Sequence, residues 1–289
     1  MTTLSRRGIL GAPAASLVAS LAYRLHAADT AMKGRVNHSV CKWCYPKVPL
    51  EDLCKQAKDL GLNSIELLGP KEWPTLKQYN LTCAMTTNPV IDGLGGIAKA
   101  FNRLEHHDKL VQAYEDWIPQ AAAAGLQNVI CFSGNRDGMA DAQGLENCAI
   151  GLKRLMALCE KHKVNLVMEL LNSKVNHKDY MCDHSEWGVA LCKQIGSERF
   201  KLLYDIYHMQ IMEGDVIATI RKHNAYFAHY HTGGVPGRAE IDETQELNYP
   251  AIMKAIVDTG FKGFVAQEFV PKRPDVLGSL KQGVQICDV

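Results

Sequence analysis

Glu169, Asp205, His231 and Glu268 each close a short apolar run: VNLVMELLN, FKLLYDIYH, YFAHYHTGG and GFVAQEFVP. Acidic side chains are rarely buried unless they are paired or bind a cation, so three of them and one imidazole at equivalent points of a repeated unit point to a shared divalent ion. This ligand set suits magnesium, manganese or cobalt, with zinc the weaker candidate, and leaves coordination positions free for two adjacent substrate oxygens. A cation held by a carbonyl and a neighbouring hydroxyl stabilises the enediolate formed when the intervening carbon loses its proton. Glu169 and Glu268 then serve as one base and one acid for removing and returning that proton. Such chemistry is an aldose–ketose isomerisation or an epimerisation.

Two further residues are candidate substrate contacts. His208 follows Asp205 by three positions, where it can hydrogen-bond a substrate oxygen. Arg238 ends the tight loop Gly233-Gly234-Val235-Pro236-Gly237, which can aim a guanidinium at a carboxylate or hydroxyl. Glu66, Asn135, Arg136, Asn172, Lys42 and Trp43 also fall near strand ends, without a pattern that assigns them a role. His229 shares a strand face with His231 and reads as a supporting or core residue. His106-His107-Asp108 reads as a solvated helix start, because adjacent histidines on a helix point apart.

The elements that position these residues repeat along the chain. An amphipathic helix, often a glycine, then a short apolar run recurs from about Val36 onward. With a first strand near Val36–Cys41 and a third near Leu81–Thr87, the pattern gives eight strand candidates. Near-continuous apolar strands are buried on both faces, as in a parallel sheet covered by helices. Eight such units predict an α/β fold, a closed (β/α)8 TIM barrel over residues 33–289. An open doubly wound sheet is the rival, but the glycine-rich phosphate turn after its first strand is missing. The barrel places all four strand-end residues on one face, and the long insertion from Asn88 to Asp108 on that face reads as a lid.

The N-terminus reads separately. Ser5-Arg6-Arg7-Gly8-Ile9-Leu10, an apolar stretch and Ala27-Ala28 resemble a twin-arginine export signal over residues 1–28, which predicts a periplasmic protein. If that signal is misread, the chain is cytoplasmic. The apolar run is too short and interrupted for stable membrane insertion. A formal net charge of +1 with no basic block gives no electrostatic surface for nucleic acid. The 10 cysteines fall mostly inside periodic apolar segments, so they read as buried free thiols, and the Cys41-x-x-Cys44 spacing as coincidence.

With these residues in place, the chain resembles the xylose isomerase-like barrel superfamily and, within it, the hydroxypyruvate isomerase family. VMELLN, LYDIYHMQ, HYHTGGVPGRAEID with the later ELNYP, and FVAQEFVP carry the likeness. The resemblance implies that Glu169 and Glu268 are metal ligands doubling as acid and base, that Asp205 is a metal ligand, and that Arg238 contacts substrate. It implies hydroxypyruvate and tartronate semialdehyde, or a similar small hydroxy-carbonyl pair, as the reactants. Such families often pack into dimers or tetramers, so a homo-oligomer is an expectation. His231 stands where glutamine is expected in hydroxypyruvate isomerases and resembles instead the histidine of ketose 3-epimerases. Leu170 replaces the proline that often follows the first glutamate. The alternatives are therefore a ketose 3-epimerase acting on a free sugar, or a non-catalytic sugar-binding barrel of the cell envelope.

Overall fold

The computed structural model describes residues 32–289; residues 1–28, read above as an export signal, lie outside them. Seven parallel strands form one sheet: β1 (Asn37–Cys41), β2 (Ser64–Glu66), β3 (Asn128–Cys131), β4 (Asn165–Glu169), β5 (Phe200–Asp205), β6 (Phe227–Thr232) and β7 (Phe264–Gln267). Their order is β2-β1-β7-β6-β5-β4-β3. The apolar runs are strands because both of their faces are covered; Val40, Ile65, Val129, Val167, Leu203 and Tyr230 are fully buried.

The third strand expected at Leu81–Thr87 is present only as single bridges, yet it closes the ring. Thr82 bridges Ser64 and Thr86 bridges Leu68 on one side, while Thr86 bridges Val129 on the other. Between these bridges, side chains replace the ladder: Ser64 Oγ accepts from Ala84 N at 2.8 Å, and Asn128 Nδ2 donates to Ala84 O at 2.9 Å. Leu67, at φ 58°, also ends β2 after three residues. The eighth strand is thus an irregular stave rather than a regular one.

Helices follow the strands and pack outside, the longest being Asp141–His162. It ends at Lys163 in the left-handed conformation, as the helix Ser185–Ile195 ends at Gly196. Asn248 and Asp275 cap the last two helices by accepting from Ala251 N and Gly278 N. Among the described residues no helix is long and apolar enough to cross a membrane. All ten cysteines are free and buried.

The insertion after the irregular stave is tied down in its second half. Asn135 N donates to Ala98 O, Asn102 N to Ser133 O, and Arg103 Nη2 to Arg136 O. The reading of His106-His107-Asp108 as wholly solvated needs correction. His107 is buried, with Nε2 2.8 Å from Phe101 O, because the insertion folds back over the helix start and offers a carbonyl there. Asp108 does face solvent and pairs with Arg154 at 2.8 Å.

Candidate metal and active site

Glu169 and Asp205 are the last residues of β4 and β5, His231 is the next to last of β6, and Glu268 follows β7 directly. Parallel strands in register bring these positions to the same end of the barrel; Asp205 lies directly across from His231 in the ladder. One ligand atom from each of the four lies within 4.8 Å of the others, and all four residues are buried. His231 Nδ1 is 2.7 Å from Glu268 Oε2 and 3.4 Å from Glu169 Oε1.

Arg238 reaches into the same cluster. Its Nη2 pairs with Asp205 Oδ2 at 3.0 Å and with Glu268 Oε2, and its Nη1 is 3.1 Å from His208 Nε2. The guanidinium lies 5.2 Å from the ring of Trp43 and 5.3 Å from that of Tyr207. Its backbone is locked as well: Arg238 N donates to Gly234 O, and Val270 N donates to Arg238 O. His208 is fully buried, and its Nδ1 accepts from Asn172 N at 3.1 Å. Asp205 caps the helix Ile206–Met212 by accepting from His208 N, which fixes its carboxylate between helix and site.

The environment divides the acids. Burial pushes Glu169 up, with Glu268 adding to the effect against His231. Burial likewise pushes Asp205 well up despite Arg238. Glu268 is the exception: burial would raise it, but Arg238 and His231 together hold it well below the carboxylate range. Burial followed by Arg238 pushes His208 well down.

A divalent cation fits these residues. Glu169, Asp205 and Glu268 are three buried carboxylates that share one guanidinium and one imidazole, and buried charge of that sign needs a counter-charge. His231 Nδ1 is buried with no hydrogen-bond partner, although two carboxylate oxygens stand within 3.4 Å. Carboxylate oxygens and an imidazole nitrogen that crowd one buried point are a donor set suited to a divalent cation.

Three residues at the site were not assigned from sequence. Trp43 Nε1 donates to Glu268 Oε1 at 2.8 Å. Glu66 Oε1 stands 2.8 Å from both His229 Nε2 and His231 Nε2. The available signal for Glu66 was that it ends its strand as Glu169 does. Other strand-end residues do structural work: Arg136 grips Asp183 and Asp141, Lys42 bonds Tyr45 O, and Asn135 O accepts from Asn102. A cavity of about 390 Å³ opens above Glu169, Glu268 and Arg238, walled by Trp43, Leu67, Ile97, Ile130, Phe132 and Leu171.

A closed parallel barrel with an acid and imidazole cluster at the carboxyl ends of its strands defines a class, the α/β barrels that present their chemistry on that face. Within that class, the chain belongs to the xylose isomerase-like TIM barrel family, which it matches over residues 54–285. The hydroxypyruvate isomerase of Escherichia coli (strain K12) is 29% identical over 203 residues, covering 60% of this chain and 76% of that protein. A 2-oxo-tetronate isomerase of Pectobacterium atrosepticum is 26% identical over 246 residues, covering 81% and 92%. With three other curated relatives the match covers 62%, 47% and 43% of their length, so the chain spans about half of them. The crystal structure of a family 2 AP endonuclease from Brucella melitensis shares the fold with a TM-score of 0.75 at 24% identity, covering 85% of this chain and 96% of that one.

Proposed function

We propose that this chain is an isomerase of small hydroxy-carbonyl compounds, requiring one divalent ion held by Glu169, Asp205, His231 and Glu268. Hydroxypyruvate and tartronate semialdehyde, or a closely similar pair, are its reactants. The observation that carries the reading is the convergence of four buried ligand atoms within 4.8 Å at the barrel mouth. The names of the Escherichia coli and Pectobacterium relatives support the reaction class.

When bound, magnesium, manganese or cobalt supplies electrophilic polarisation of a carbonyl and its adjacent hydroxyl. The protein moves the proton. Glu169 and Glu268 stand on β4 and just after β7, on opposite sides of His231, so that one takes the carbon-bound proton and the other returns it through an enediolate. Arg238, fixed by its loop and by the nearby rings of Trp43 and Tyr207, offers N–H donors to a substrate carboxylate or oxyanion. His208 holds a neutral ring beside that guanidinium as a further substrate contact.

The test is hydroxypyruvate in deuterium oxide with manganese, scored for deuterium at the exchanging carbon. Glu169→Gln and Glu268→Gln should each lower turnover by about 10²- to 10⁴-fold, the usual contribution of a positioned acid or base. Full turnover in both variants would reject their roles. Failure to exchange any member of a hydroxy-carbonyl and sugar panel would favour a non-catalytic sugar-binding barrel.

Two observations favour a second reading. A cavity of about 390 Å³ is larger than a three-carbon acid requires, and His231 in the ligand set resembles ketose 3-epimerases. Faster exchange on free ketoses than on hydroxypyruvate would select that activity. Export to the periplasm by the twin-arginine route is proposed with either reading, on the strength of Arg6-Arg7 and the apolar stretch that follows. Fractionation with Arg6 and Arg7 replaced by Lys tests it.

A further inference from the structure

Glu66 occupies a place that ordinary packing would give to an aliphatic side chain. It ends β2, is fully buried, and reaches across the barrel interior past β1 and β7 to the histidines of β6. One of its oxygens, Oε1, lies 2.8 Å from His229 Nε2 and 2.8 Å from His231 Nε2. The two imidazoles are two residues apart on one strand face, with ring centroids 5.1 Å apart and planes at 86°, so both edges meet the same oxygen.

An ionised carboxylate only accepts hydrogen bonds, so both nitrogens at that oxygen are N–H donors. With a cation on Nδ1 the imidazole keeps one proton, and the contact to Glu66 Oε1 places it on Nε2. The opposite nitrogen, Nδ1, is then a bare lone pair, and it is the atom that faces Glu169 and Glu268. We propose that Glu66 is a positioning residue, which holds His231 in the Nε2–H tautomer and so presents Nδ1 to the divalent ion. His229 is the second anchor of the clamp, fixing where Glu66 Oε1 stands. This role rests on the ion-centred reading of the quartet given above.

Cys41 Sγ, Glu66 and His231 also offer ligand atoms within 4.8 Å of one another. The two N–H donors aimed at Glu66 Oε1 occupy that space and are incompatible with a cation there. One ion per chain is therefore expected.

The experiment uses the full chain and reads binding rather than turnover. Manganese affinity and stoichiometry are measured by titration calorimetry and by the free-ion electron paramagnetic resonance signal, for the parent, Glu66→Gln and Glu66→Leu. Loss of an outer carboxylate that orients a ligating histidine typically costs 10- to 100-fold in affinity, and Glu66→Leu should fall in that range. Glu66→Gln keeps an acceptor oxygen for both N–H groups and should recover most of the affinity. A purely structural Glu66 would lower the melting temperature of Glu66→Leu and leave affinity within about threefold.

Should Glu66→Leu fail to fold, long-range proton–nitrogen NMR on the magnesium-loaded parent decides: His231 should show its proton on Nε2, and a proton on Nδ1 would overturn the assignment. Binding of two ions per chain would overturn it as well. A parent that binds no divalent ion removes the ion-centred reading and this role with it. A parent that binds beside an equally tight Glu66→Leu overturns the role of Glu66 alone.

Discussion

His231 Nδ1 and Glu268 Oε2 lie 2.7 Å apart, one at the end of β6 and the other just past the end of its neighbour β7. Against the effect of burial, Glu268 holds the His231 ring well above its usual range, so a proton supplies the positive charge of this buried pair and a divalent ion bound by both atoms would replace it. A divalent ion that binds the folded chain alone stabilises it by about 2.7 kcal/mol at a concentration 100 times its dissociation constant. Manganese should therefore raise the melting temperature of the parent, and a chelator should reverse the rise. His231→Phe should lose the manganese response while remaining folded. A parent whose melting curve ignores manganese, magnesium and cobalt alike would end the case for the quartet.

Arg238 supplies the positive charge that Asp205 and Glu268 share, with Nη2 placed on both carboxylates. Arg238→Met should thus destabilise the ion-free protein by about 3–5 kcal/mol, because it leaves buried carboxylates unpaired. Added manganese should restore part of that loss in denaturant titrations. Arg238→Lys should recover little: an ammonium lacks the planar fork that reaches both acids and lies over the rings of Trp43 and Tyr207. Equal midpoints for parent and Arg238→Met without metal would contradict this account.

The quartet was legible in sequence because each member ends an apolar run and the runs recur at the βα period; backbone geometry then converts that period into proximity. Glu66 obeyed the same rule but its strand has three residues, and its partners lie 163 and 165 positions away. No local pattern announces such a pairing. The stave at 82–86 has a strand's apolar residues, yet its ladder is partly replaced by Ser64 and Asn128 side chains, a substitution that composition does not reveal. His107 looked solvated because a polar run surrounds it; what buries it is a carbonyl from a loop whose path sequence does not fix.

Gly234 is the position where the loop that carries Arg238 depends on having no side chain. A Cβ there would stand 2.2 Å from Glu240 O and 2.9 Å from Ala239 O, both backbone atoms. The same turn is closed by Gly234 N donating to Ala239 O at 2.9 Å and by Arg238 N donating to Gly234 O at 2.8 Å. Gly234→Ala must therefore displace Arg238, not merely crowd it. Overpacking of this kind typically costs about 1–3 kcal/mol of stability, and misplacing the guanidinium should lower kcat/KM by at least about tenfold, the equivalent of 1.4 kcal/mol. An unchanged kcat/KM would show that the loop tolerates the shift and that Arg238 is not held by it.

Acid sensitivity is expected from His38, on β1 and remote from the mouth. It is 1% exposed, neither ring nitrogen has a hydrogen-bond partner, and Asp288 is 3.9 Å away, too far to bond it. Burial pushes its imidazole down to about 4, with Asp288 offsetting only part of the effect. In the unfolded chain the same ring takes up a proton below about 6.5. Between those two values the unfolded state binds more protons than the folded one, so stability falls as pH drops through the window and the loss is complete below about 4. The contribution is on the order of 3 kcal/mol. His38→Leu removes the titrating group, so its unfolding free energy measured by urea titration from pH 7 to pH 4 should fall less steeply than the parent's by about that amount. Parallel profiles would show that the ring is already neutral in the unfolded chain or charged in the folded one.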